Sequence, residues 1–130
     1  MKKIPLILFA TLLFLMSPYC HAKKTTTQYP VILVHGLMGF DNLLGLDYFY
    51  NMATSLNQEG TLVFTPAVSA INSSEVRGEQ LLTRIKAILA LTGAKKVNLI
   101  GHSQGAQTVR YVASVRPDLI ASVTSIGGAN

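Results

Sequence analysis

Residues 97–105 read Val-Asn-Leu-Ile-Gly-His-Ser-Gln-Gly, which places Gly101-His102-Ser103-Gln104-Gly105 between an apolar run and a helical pattern. Turning from strand to helix in so few residues forces the central residue into a strained backbone. Its neighbours two places either side, Gly101 and Gly105, must then be small. Such a turn lifts a hydroxyl clear of a sheet at a helix N-terminus, where free N–H groups and the helix dipole favour a developing oxyanion. The chemistry implied is nucleophilic acyl transfer through Ser103. The plain alternative is a tight turn carrying an exposed serine.

Acyl transfer needs a second backbone N–H about 3 Å from the same oxygen. His35-Gly36-Leu37-Met38-Gly39 follows the apolar run Val31–Val34. Leu37 N–H is therefore one candidate oxyanion donor and Gln104 N–H the other. A serine hydrolase also needs an imidazole and a carboxylate to orient it. The three histidines are His21 near the N-terminus, His35 in the first turn and His102 beside the serine. His35 and His102 are expected to shape their turns by hydrogen bonding. Where a serine sits on such a strand-to-helix turn, the chain order is Ser, then Asp or Glu, then His. Asp118 is the one acid after Ser103, and it is expected to be solvated at a helix end. The triad Asp and His have no position here, so these 130 residues alone are expected to be inactive.

The elements that must carry these residues alternate two periodicities. Val31–Val34, Thr61–Thr65, Val97–Ile100 and Ile120–Ile126 read as strands, and His35–Leu46 as a loop. Asp47–Gln58 reads as a helix. A second helix is expected from an Asn72 cap to Thr92, burying Val76, Leu81, Leu82, Ile85, Ile88 and Leu89 and stopped by Gly93. Gln104–Val115 reads as a third, with Ala106, Val109, Val112 and Ala113 on one stripe. Four strands alternating with three helices predict an α/β fold: a parallel sheet with helices on its faces and its site at the carboxyl ends of the strands.

Residues 1–22 begin Met-Lys-Lys and run apolar from Ile4 to Met16 before Cys20-His21-Ala22. This is a signal-peptide pattern with cleavage expected after Ala22. Residues 23–29 are a polar arm, and 30–130 an incomplete hydrolase domain. The sole cysteine, Cys20, leaves with the signal, which excludes disulfide, Cys-ligated zinc and cysteine-nucleophile chemistry. Residues 23–130 carry nine Lys and Arg against six Asp and Glu, a net +3. These bases are scattered and lack interleaved aromatics, so no nucleic-acid partner is expected. No metal site is expected either.

Four blocks resemble one family: Tyr29–Asn42, Ser74–Leu82, Lys96–Gly105 and Arg110–Ser122 are similar to the secreted true lipases of Gram-negative bacteria, of Pseudomonas and Burkholderia type. The resemblance implies an α/β-hydrolase fold acting on triacylglycerols, with Ser103 as nucleophile and the Leu37 and Gln104 N–H groups as the oxyanion hole. It also implies that Arg77 supports the oxyanion loop, where the residue type alone reads equally as a solvated arginine at a helix start. Export through the periplasm, a membrane-anchored foldase partner and an interfacial lipid substrate follow from the same resemblance. Family members run about twice as far. Their triad Asp and His, lid and calcium site have no counterpart in these residues, so no cofactor is carried over. A short-chain esterase or acyltransferase of the same fold, and a truncated product that only binds lipid or a folding partner, are the alternatives.

Overall fold

The computed structural model describes residues 26–39, 42–43 and 46–129. The expected signal segment, with Cys20 and His21, lies outside the described residues, as do residues 23–25 of the polar arm.

Val31–Val34 (β1) is apolar throughout and buried on both faces, as a central parallel strand must be. It pairs in parallel with Val63–Phe64 (β4) on one side and Val97–His102 (β5) on the other. Ile120–Ile126 (β6) extends the sheet beyond β5, giving the order β4-β1-β5-β6. Alternation along β1 divides the core. Ile32 and Val34 face Leu81, Leu82, Ile85, Ile88, Val109 and Val112 from Ser74–Thr92 (α2) and Gln104–Val115 (α3). Val31 and Leu33 face Phe49, and also Ala53 and Leu56 of Met52–Gln58 (α1). Each fully buried aliphatic side chain contributes about 1.5–3 kcal/mol. Gly78 lets the two helices on one face close up, because a Cβ there would collide with the Tyr111 ring.

Five sequence expectations are corrected. The loop after β1 contains a small antiparallel pair, Asn42–Leu43 (β2) with Leu46–Asp47 (β3). The first helix starts at Met52 rather than Asp47, because Asn51 sits in the left-handed region at φ 57°. The second strand is Val63–Phe64, shorter than the expected Thr61–Thr65. The cap of α2 is Ser73, not Asn72: Ser73 Oγ accepts the Val76 N–H at 3.3 Å. Val76 is exposed, and the buried stripe of α2 instead continues upward through Arg77 and Gly78. At its far end α2 stops at Gly93, left-handed at φ 69°, whose N–H returns to Leu89 O.

Candidate active site

The third strand runs two residues beyond its expected end, to His102, so the turn into α3 is as tight as it can be. Ser103 stands alone between them at φ 55°, ψ −124°. This is backbone territory that favours glycine, at a cost of about 1–3 kcal/mol. The surroundings hold it there. Ser103 N–H donates to Ile126 O at 2.9 Å, and Ala106 N–H donates to Ser103 O at 3.0 Å. A Cβ on Gly101 would strike the backbone of Gly105 and Ala106, and one on Gly105 would strike the carbonyls of Val34 and His35. The elbow therefore rests directly on the end of β1, in contact that only hydrogen in place of a side chain permits.

The turn after β1 closes with Gly39 N–H on Gly36 O at 3.2 Å. Gly36 abuts the serine: a Cβ on it would lie 2.9 Å from Ser103 Cβ, 3.0 Å from the Tyr48 hydroxyl and 3.2 Å from His102 O. Met38, left-handed at φ 53°, donates its N–H to Ala70 O at 2.7 Å and ties this turn to the loop before α2. Among the described residues, no acceptor meets the N–H of Leu37 or of Gln104, the first residue of α3. Two unengaged donors thus flank Ser103, one from each strand end.

Arg77 is fully buried, so the solvated reading of this residue does not hold. Its guanidinium donates from Nη2 to His35 O at 2.5 Å and from Nη1 to Gly36 O at 3.1 Å. Nη1 also donates to Gln104 Oε1, and Gln104 Nε2 in turn donates to Asn72 O at 2.9 Å. Burial pushes the guanidinium pKa down from its ordinary value, against a smaller opposing influence of Tyr48. Nε is buried with no partner among the described residues.

His35 is also buried. Its Nε2 accepts the Val68 N–H at 3.2 Å, which leaves the ring proton on Nδ1, 3.0 Å from Gly36 O. The neutral ring braces the turn. His102 is half-buried, with Nδ1 2.6 Å from the Tyr48 hydroxyl. Asp118 is exposed and forms two hydrogen bonds with Arg116, at 2.8 and 2.6 Å. The fold thus gathers Ser103, Leu37, Gln104, Gly36, His35, His102, Gly101, Gly105 and Arg77 at one end of the sheet, and leaves Asp118 at the other end of α3. Among the described residues no three His, Cys, Asp or Glu come together to hold a metal ion.

Tyr48 is the residue sequence reasoning missed. It lies 12 residues from Gly36 and 54 from His102, and its hydroxyl meets both. No local pattern marks it. Arg77 did carry a signal: it stands four residues before Leu81 and so extends the buried stripe of α2.

The family model for the alpha/beta hydrolase fold matches residues 29–130, and the chain belongs to that family. Among characterised relatives, a triacylglycerol lipase of Vibrio cholerae is 64% identical over 106 residues, which cover 82% of this chain and 34% of that protein. A triacylglycerol lipase of Pseudomonas fragi is 54% identical, over 82% of this chain and 36% of its own length. One from Burkholderia plantarii is 49% identical, over 95% and 36%. The chain spans about a third of the length of these relatives. Among solved structures, the mature form of a Bacillus licheniformis lipase shares the fold at a TM-score of 0.63 and 19% identity, over 77% of this chain and 40% of that one.

Proposed function

We propose that this chain is the amino-terminal part of a bacterial triacylglycerol lipase, in which Ser103 forms the acyl-enzyme. The observation that carries the reading is the strained serine flanked by two unengaged N–H groups. Ser103 Oγ attacks the ester carbonyl, and the tetrahedral oxygen is received by Leu37 N–H and Gln104 N–H. The general base and its carboxylate come from the remainder of the protein: both ring nitrogens of His35 are engaged in bracing the turn, and His102 Nδ1 is engaged by the Tyr48 hydroxyl. The substrate class rests on the names of the relatives. It is supported by the apolar rim: Leu37, Met38 and Ile71 are 56%, 69% and 70% exposed, and Ile71 lies between the two loop carbonyls bound to Met38 and Gln104. Export with cleavage after Ala22, and folding with a membrane-anchored foldase, complete the proposal.

The test is fluorophosphonate labelling of the complete protein, with turnover of a triacylglycerol emulsion and of a short soluble ester measured side by side. Labelling at Ser103, its loss in Ser103→Ala, and preference for the emulsion are the expected results. Labelling that survives Ser103→Ala refutes the nucleophile. A preference for the soluble ester refutes the substrate class.

A further inference from the structure

The two oxyanion donors belong to different strand ends, and the β1–β5 ladder stops at Val34 and Gly101, short of both. Something else must fix where they point. The Leu37 N–H lies in the peptide plane that contains the Gly36 carbonyl, and the Gly36 N–H lies in the plane that contains the His35 carbonyl. Each plane is rigid, and the two turn against each other only at the Gly36 Cα. Arg77 holds both carbonyls from the α2 side. On the opposite edge of the His35–Gly36 plane, Gly36 N–H donates to the Tyr48 hydroxyl at 3.2 Å. That hydroxyl is also 2.6 Å from His102 Nδ1, on the residue before Ser103. The Tyr48 ring is held edge-on by Phe49, at 4.9 Å between centroids and 71° between planes.

Resting on the acyl-transfer reading of the site, we propose that Tyr48 is a positioning residue that fixes the aim of the Leu37 N–H relative to Ser103. Its hydroxyl accepts the Gly36 N–H and gives its own proton to His102 Nδ1, so the pivot glycine and the elbow are joined through one oxygen. His102 is then neutral, with its ring proton on Nε2, and serves as the anchor of the clamp rather than as a base. Arg77 alone leaves the N–H edge of the His35–Gly36 peptide plane ungripped, and glycine at the pivot adds no stiffness of its own.

The experiment uses the complete protein, wild type and Tyr48→Phe, with active sites titrated by phosphonate so that rates are per competent Ser103. Positional slack at a reacting centre costs on the order of 10²-fold for about 1 Å. Tyr48→Phe is accordingly expected to lower kcat about 10–100-fold with KM within about threefold. Nitrogen NMR of His102 in the wild type should show Nδ1 as the unprotonated ring nitrogen, shifted in Tyr48→Phe. A folded Tyr48→Phe enzyme with unchanged kcat per titrated site overturns the proposal, as does a neutral His102 with its proton on Nδ1. The second measurement needs no variant and no turnover, so it stands even if Tyr48→Phe fails to fold. Loss of Ser103-dependent labelling in the wild type would instead count against the lipase reading.

Discussion

Replacing Arg77 by methionine tests the buried half of the site directly. Methionine follows much of the arginine stem but donates nothing. Two backbone carbonyls in buried residues, those of His35 and Gly36, would lose their guanidinium donors, and Gln104 Oε1 would lose its partner. A buried acceptor left without a donor costs about 1–3 kcal/mol, and that is the outer range here, because Gly36 O keeps the Gly39 N–H and the His35 Nδ1 proton. Against that, the protein no longer keeps a cation dry, nor an Nε without a partner. A net loss of about 1–2 kcal/mol is expected, read as a lower urea midpoint at unchanged slope. The same change removes one of three donors from the Gly36 carbonyl and so loosens the peptide plane of Leu37. Deleting an oxyanion donor costs 10²–10³ in kcat, so loosening one is expected to cost about 10–100-fold. Arg77→Lys should fall between, because a point charge cannot serve three acceptors set out for a planar fork. An Arg77→Met protein within about 0.5 kcal/mol of wild type, turning over normally per titrated serine, would refute this reasoning.

Gly36→Ala is expected to be the more damaging change for its size. The new methyl meets Ser103 Cβ, the Tyr48 hydroxyl and His102 O at 2.9–3.2 Å, none of them the loose end of a flexible chain. Overpacking of this kind costs about 1–3 kcal/mol, and kcat should fall at least about tenfold, both measurable on the purified variant. At the surface, hydrogen bonds from Arg116 hold the Asp118 carboxyl below the usual carboxylate range. A folded-state pKa below the unfolded one makes the pair favourable at neutral pH, and its contribution disappears as pH falls through the depressed Asp118 value. NMR titration should place Asp118 low and return it toward the ordinary value in Arg116→Gln. An unshifted Asp118 in the wild type would exclude the pairing in solution.

Much of this architecture could be read from the chain because its signals are local. Val31–Val34 and the Val97 run are apolar blocks too short for helices, and Gly101, Ser103 and Gly105 are spaced for one kind of turn. Other features turn on choices that short stretches do not decide. Asn72 and Ser73 are equally good caps on paper, and the Asn72 carbonyl is taken by Gln104 instead. Val76 looked like core by its type, yet the helix phase set by Leu81 and Ile85 turns it outward and brings Arg77 in. A charged residue enters a core only where acceptors await it, and those acceptors lie some forty residues back along the chain. Tyr48 was hidden for the same reason: its partners are assembled by tertiary structure, and Asn51 ends the helical reading just after it.

The backbone of Ser103 sets thermodynamics and natural selection against one another. At φ 55°, ψ −124°, glycine would be at ease where serine is not. A Ser103→Gly protein should therefore be the more stable molecule, by up to the strain released, while lacking the hydroxyl that the proposed acyl transfer requires. In a lineage where turnover no longer matters, the downhill path at this position leads away from serine. A population of gene copies in which Ser103 persists while neighbouring surface positions drift would thus record continuous use of the hydroxyl. The residue proposed as nucleophile is also the one most readily lost by disuse.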